Sequence, residues 1–304
     1  MIIIDLYDKI LDEIRVMDME YNLCDINTVE RLLKKNGFKF SKALGQNFLI
    51  DESVCPRMAE ALEADGNTGV LEIGAGIGVL TKELCKAAKK VVSVELDKRL
   101  YSVLSETLGN YGNFELVEGD IMKLDLNALI KEKFSDCSKV KVCANLPYYI
   151  TSPVIMLLLE KTLPIDEIEV MVQKEAAERL TAKLGTRNAG AISAAVEYRG
   201  EAELLFEVGK ESFMPSPKVD SAVIKINLYD NPKYEVESEK EFFALIRAAF
   251  AQRRKMLINS VSSTLGIPKK RIETALYELG LDNNVRAEAH TMNDFVKLYG
   301  FLKG

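Results

Sequence analysis

One histidine, His290, occurs in the 304 residues, and the five cysteines at 24, 55, 85, 137 and 143 form no Cys-x-x-Cys pair and have no neighbouring histidine. The first absence removes histidine-dependent triads unless His290 alone serves, and its place just before a helix start points to a structural or solvated role. The second argues against a zinc site or a disulfide framework and makes the cytosol the expected compartment. The longest apolar run, Val154 to Leu159, falls far short of the ~20 residues that span a bilayer. Met1 to Ile10 opens with three isoleucines, but Asp5 and Asp8 follow and no basic segment precedes them, so it is not a signal peptide. Positive charge is not in excess: the net charge of −6 and pI near 5.2 argue against a protein that coats nucleic acid non-specifically, while leaving room for local basic patches. Internal repeats and low-complexity segments are also missing.

What remains is an ordinary globular composition, 48% hydrophobic and 28% charged. At ~150 residues per domain the length suits one large core and a smaller unit. From Gly69 to about Leu228, short apolar strands alternate with helical patterns. The strands are Val70–Ile73, Val91–Leu96, Phe114–Val117, Val140–Ala144, Ile168–Val172, Ala202–Val208 and Ala222–Leu228. Seven strands alternating with helices predict a mostly parallel, doubly wound α/β sheet. Asp97 reads as a helix cap, and Ser152-Pro153 as a cap followed by proline at the first helical position. Tyr229 to Glu239, with Pro232 and several charges, reads as a linker. Beyond it the pattern is helical: one long helix from Phe242 to Leu265 stopped by Gly266, a second opened by Pro268, and a last one after the capping box Thr291 to Asp294.

Four strand ends carry the chemistry. Glu72-Ile73-Gly74-Ala75-Gly76-Ile77-Gly78 is a strand-to-helix turn at which glycine lets the backbone pass close to a ligand. A dinucleotide fingerprint would need a third glycine where Val79 stands, which disfavours a pyrophosphate cradle and an NAD-dependent oxidoreductase. Glu95 ends the second strand where an acid accepts from ribose hydroxyls, a use common to NAD and S-adenosylmethionine. Asp120, after the third strand, can accept from the adenine amino group of S-adenosylmethionine. Either acid alone is as well explained by helix capping; successive strand ends with suitable groups favour a cofactor site. Asn145-Leu146-Pro147-Tyr148 ends the fourth strand and offers an amide, backbone carbonyls and an aromatic face. That suits a flat ring bearing an exocyclic amine, although for a lone tetrapeptide of this kind a turn with Pro147 as breaker and Tyr148 in the core is the better reading, and it is the neighbouring strand ends that favour chemistry.

Gly45 to Asp51, Glu72 to Gly76, Asn145 to Tyr148 and Phe213 to Ser221 together resemble the ribosomal RNA adenine dimethyltransferase family, over the chain from about Asn36 onward. The resemblance implies a seven-stranded Rossmann-like class I methyltransferase sheet over 41–230 and a small all-helical RNA-binding domain over 236–304, after an N-terminal extension and basic segment over 1–40. It implies S-adenosyl-L-methionine contacts at Asn47, Leu49, Gly74, Gly76, Glu95, Asp120 and Asn145. The target adenine is implied to be held by Asn145, Leu146, Pro147 and Tyr148, with Phe213 as a second aromatic wall; for Phe213, anchoring of the proline-rich loop is a compatible role. Metal is not implied. Of two relatives within the family, the enzyme of the small subunit is matched by Gln252-Arg253-Arg254-Lys255, by Arg286-Ala287-Glu288 and by the helical C-terminal region; the alternative is a large-subunit (23S) methylase that confers macrolide resistance. Ala189 departs from the aromatic that small-subunit relatives usually carry there. The implied partner is small-subunit (16S) rRNA within a pre-30S particle, with no membrane and a monomeric free protein. Arg253, Arg254 and Lys255, with Arg247, Lys269, Lys270 and Arg271, form the clearest basic cluster, and Lys34, Lys35, Lys39 and Lys42 a second; a solvated helix face explains any single one of them as well.

Overall fold

The computed structural model describes residues 21–38 and 46–304; the expectations placed on residues 1–18, Lys39, Lys42 and Gly45 lie outside the described residues. The strands are β1 (Phe48–Leu49), β2 (Thr68–Ile73), β3 (Lys90–Glu95), β4 (Phe114–Glu118), β5 (Lys139–Asn145), β6 (Glu167–Gln173), β7 (Gly200–Val208), β8 (Phe213–Met214) and β9 (Ser221–Leu228). Seven of them form one sheet in the order β4-β3-β2-β5-β6-β9-β7, and β1 pairs with β8 in a separate ribbon. The first five strands of the sheet run parallel, while β9 is antiparallel to both β6 and β7. Strand order reverses between β2 and β5, so the helices leaving these two strands diverge to opposite sides and open a crevice at the strands' carboxyl ends.

Every residue of β2 is buried, because a central parallel strand is covered on both faces. On one face Cys55, Met58, Leu80 and Leu84 cover Val70, Cys143 and Val223. On the other, a continuous core runs from Leu71 and Val142 to Phe242, Phe243 and Phe295 of the C-terminal helices. Tyr198 is the joint: its ring lies 5.4 Å from that of Phe242 and 5.2 Å from that of Phe243.

Local signals explain most element ends. Asp97 accepts from Arg99 N at 3.1 Å, and Thr291 and Asp294 form the reciprocal capping box of the helix Met292–Lys303. Pro153 stands at the third position of the helix Thr151–Glu160, not the first, because a 3-10 turn, Tyr148–Ile150, leads directly into that helix. The ring is tolerated there since first-turn N–H groups have no intrahelical acceptor.

The expected single helix from Phe242 to Leu265 is two helices, Glu239–Phe250 and Leu257–Leu265. Its break has a specific cause in Ser260, which is fully buried. The Ser260 hydroxyl donates to Ala248 O at 2.6 Å and accepts from Gln252 N at 3.2 Å. These are the two groups that an uninterrupted helix would join to each other, so the hydroxyl stands in for the helical bond and the chain turns away. Arg253, Arg254 and Lys255 therefore lie in a turn, exposed, and not on the helix that carries Arg247. His290 is buried, its ring T-shaped against that of Phe295 at 6.0 Å, in a structural setting.

Candidate active site

A cavity of about 290 Å³ opens at the carboxyl ends of β2, β3 and β5. The turn after β2 forms its floor: Gly74 and Gly76 have φ of +81° and +60°, a backbone path that side chains with a Cβ strain to follow. Asn47 and Leu49 reach it from the β1 segment, Glu95 from β3, Asp120 from the loop after β4, and Asn145 and Leu146 from β5; Pro147, Tyr148 and Phe213 complete the expected set. The basic residues Arg253, Arg254 and Lys255 do not line it.

Glu95 is almost fully buried and ties two strand ends together, its carboxylate accepting from Gly76 N at 3.0 Å and from Asp97 N at 2.8 Å. Burial pushes its carboxyl above the usual range, and those two N–H groups pull it back. Asp120 accepts from Met122 N at 3.0 Å. Neither acid caps a helix, since Asp97 caps the 3-10 turn Lys98–Leu100 and Asp125 the helix Leu126–Lys133; a carboxylate has about four lone-pair sites, so Glu95 and Asp120 each retain acceptor capacity toward the cavity.

The tetrapeptide separates its two carbonyls. Pro147 O already accepts from Ile150 N at 3.1 Å and from the Thr151 hydroxyl at 3.4 Å. Among the described residues no donor reaches Leu146 O or the Asn145 side chain, so these are the two acceptors left for an amine. Tyr148 is half-buried, and its hydroxyl lies 2.7 Å from Ser221 Oγ. Phe213 is buried in β8, where it pairs with Leu49 of β1. That ribbon is reinforced by Ile50 N donating to Ser212 O at 2.8 Å and by the Ser212 hydroxyl donating to Asp51 at 3.0 Å. A segment expected at the cofactor is thus stitched to one expected at the target base.

Several lining residues carry no expectation from sequence. Glu72 is fully buried and takes hydrogen bonds from the Thr81 and Ser93 hydroxyls; burial pushes it up to about 7. An acid inside an otherwise apolar central strand is the signal for it. Leu96, Met122 and Tyr149 are exposed apolar side chains at the rim, and an apolar side chain within four residues of each of three strand ends is the corresponding signal. Gln46 donates to Asp97 at 2.7 Å.

The lining tests which cofactor fits. Glu72, Glu95, Asp97 and Asp120 border the cavity, and among the described residues that line it there is no lysine, arginine or histidine. Without a cation to meet its charge a pyrophosphate is poorly served here, whereas the acceptors of Glu95 and Asp120 suit a ligand that brings donors and positive charge, such as a sulfonium with an amino group. This sheet order with an acid-walled cavity at its switch point is the architecture of a Rossmann-like methyltransferase.

Comparison with known proteins narrows the class. The model of the ribosomal RNA adenine dimethylase family matches residues 37–303. A relative from Geobacillus thermodenitrificans, named ribosomal RNA small subunit methyltransferase A, is 45% identical over 287 residues, 93% of this chain and 98% of its own. One of the same name from Staphylococcus haemolyticus is 44% identical over 281 residues, 90% of this chain and 95% of its own. Among solved structures, a dimethyladenosine transferase from Plasmodium falciparum has a TM-score of 0.66 at 29% identity, covering 84% of this chain and 98% of that one. The 23S rRNA methyltransferase ErmE has a TM-score of 0.61 at 25% identity, covering 85% and 100%. The chain belongs to the ribosomal RNA adenine dimethylase family, and it is an S-adenosylmethionine-dependent methyltransferase.

Proposed function

We propose that the protein dimethylates the exocyclic amines of two adjacent adenines in the 3′-terminal hairpin of small-subunit (16S) rRNA, acting in the cytosol as a monomer on a pre-30S particle. The observation that carries this reading is the pair of uncommitted acceptors, the Asn145 side chain and Leu146 O, beside Tyr148 and Phe213 in an acid-walled cavity. The small-subunit relatives, at 44–45% identity over nine-tenths of the chain, favour that substrate over the large-subunit adenine.

S-adenosylmethionine, when bound, supplies an electrophilic methyl group on a sulfonium. Glu95 would hold its ribose hydroxyls and Asp120 its adenine amino group, with Asn47, Leu49, Gly74 and Gly76 closing around it. On the substrate side, the target base must leave its stack to be reached, at a cost of a few kcal/mol. Stacking on Tyr148 and Phe213, at ~1–3 kcal/mol per base, offsets much of that cost. The Asn145 side-chain oxygen and Leu146 O then accept from the two N–H bonds, which holds the nitrogen lone pair out of conjugation with the ring. No carboxylate base is needed, since the proton becomes acidic only once the new bond has begun to form.

RNA would be gripped outside the cavity. The exposed turn Arg253-Arg254-Lys255 and the start of the helix Lys269–Glu278 are the basic surfaces of the C-terminal region, 236–304, read as its RNA-binding part. Incubation of unmodified small subunits with labelled S-adenosylmethionine, followed by mapping of the label, tests the whole reading. Label on two adjacent adenines of the small-subunit 3′ hairpin is expected; label on large-subunit RNA alone would overturn it.

A further inference from the structure

Tyr148 and Ser221 meet at 2.7 Å, hydroxyl to hydroxyl, across the gap between β5 and β9. Their surroundings differ. Ser221 is fully buried as the first residue of β9, flanked in register by Gln173 of β6 and Val208 of β7. It does not line the cavity. Tyr148 is half-buried on a 3-10 turn outside the sheet, where no ladder holds its backbone. A ring on such a turn can rotate about χ1 and χ2, and a bond at its far end to a residue locked between two strands removes that freedom. The segment that ends in Ser221 begins with Phe213, which is itself fixed by pairing with Leu49. One stretch of chain therefore holds one aromatic wall directly and the other through a hydrogen bond.

We propose that Ser221 is a positioning residue for the second of the two methyl transfers to each adenine, acting through the plane of the Tyr148 ring. The inference rests on the adenine dimethylation reading above. In the first transfer the amine has two N–H bonds for two acceptors, the Asn145 side chain and Leu146 O, and these fix its orientation. After that transfer N6 carries one methyl and one N–H, so one acceptor loses its donor. Orientation of the monomethylated base then depends on the stack. In the second step the N6 lone pair forms the new N–C bond as the S–C pair returns to sulfur, and N6 releases its last proton to water; the products are dimethyladenine, the thioether and a proton.

A time course on unmodified small subunits, with adenine, monomethyladenine and dimethyladenine quantified by mass spectrometry, gives a separate rate for each transfer. For Ser221→Ala the ratio of second-transfer to first-transfer rate is expected to fall about fivefold, the scale of one hydrogen bond lost, so that monomethyladenine accumulates. Tyr148→Phe keeps the ring, deletes the same bond, and is expected to shift the ratio in the same direction and by a similar factor. The double variant is expected to shift it no further than the larger single effect. A merely structural role lowers the amount of active protein and leaves the ratio at the parent value, which overturns the proposal. If Ser221→Ala does not fold, an unchanged ratio in Tyr148→Phe overturns it alone. Absence of dimethyladenine with the unsubstituted protein would instead overturn the function on which it rests.

Discussion

Asn145 is the residue with the least to do in the fold and the most to do in the proposed chemistry. Its side chain ends β5 with no described protein partner, while its neighbours are committed: Leu146 N donates to Met171 O at 3.2 Å, and Pro147 O is taken by the turn that follows. Replacement by alanine removes an acceptor that acts on the reacting nitrogen and opens no hole in the core. Asn145→Ala is expected to lower the methyl-transfer rate by about 10²–10³-fold, the effect of losing one oriented group at a reacting centre. Cofactor affinity, measured by calorimetry, should fall only modestly, since Glu95 and Asp120 remain; near-parent turnover would exclude the mechanism. At this scale the sequence was a good guide to which side chains meet, because strand ends in a parallel sheet converge on one crevice wherever the strands start. It left Leu146 O and Pro147 O as equal candidates. Only the 3-10 turn at Tyr148–Ile150 distinguishes them, and no residue type announces that turn.

Among the elements, the break between the two helices that follow the linker is where sequence pattern and structure part company. Ala251 to Met256 contains neither glycine nor proline, and its residues are good helix formers, so periodicity alone runs straight through it. The stop comes from the buried Ser260 hydroxyl, a tertiary contact that overrides propensity. Ser260→Ala leaves Gln252 N and Ala248 O without that partner and is expected to destabilise the protein by about 1–3 kcal/mol in urea unfolding. An unchanged midpoint would show that the hydroxyl follows the break and does not make it. The turn created there presents Arg253, Arg254 and Lys255 to solvent. If they contact phosphates, replacing all three by alanine should weaken RNA binding and reduce the slope of log affinity against log salt by about 2–3. A slope equal to the parent's would remove them from the RNA interface. The β1–β8 ribbon was likewise invisible in the sequence: two-residue strands have no period, and only the pairing of Phe48–Leu49 with Phe213–Met214 gives them meaning.

Across the whole molecule, the sheet carries charge in its interior. Register places Glu72 beside Cys143, Cys143 beside Glu169, and Glu169 beside Lys225, one continuous row across four strands. Lys141 and Lys225 donate to Leu62 O and Ala61 O at the carboxyl end of the helix Val54–Ala61, and both pair with Glu167 at 3.3 and 3.6 Å. Those bonds lock that helix onto the sheet. Glu169 is the exception, fully buried with neither carboxylate oxygen hydrogen-bonded. Burial pushes it up to about 8, Glu167 adds to the rise, and Lys225 and Lys141 oppose it. The folded form therefore holds a proton that the unfolded chain releases near 4.5. Its contribution to stability is fully present below about pH 4.5 and declines as pH rises toward 8, since the unfolded state binds fewer protons in that window. Glu72, raised to about 7, acts in the same sense over a shorter range. Glu169→Gln keeps the shape and stays neutral at every pH, so the Glu169 contribution to this slope disappears. The stability of the variant relative to the parent, from urea unfolding at pH 5, 7 and 8.5, is expected to move in the variant's favour by on the order of a few kcal/mol from the lowest to the highest pH. A difference that stays constant across the three would mean that Glu169 ionises in the folded protein as it does in the unfolded chain, with Lys225 and Lys141 supplying the compensation that its missing hydrogen bonds do not.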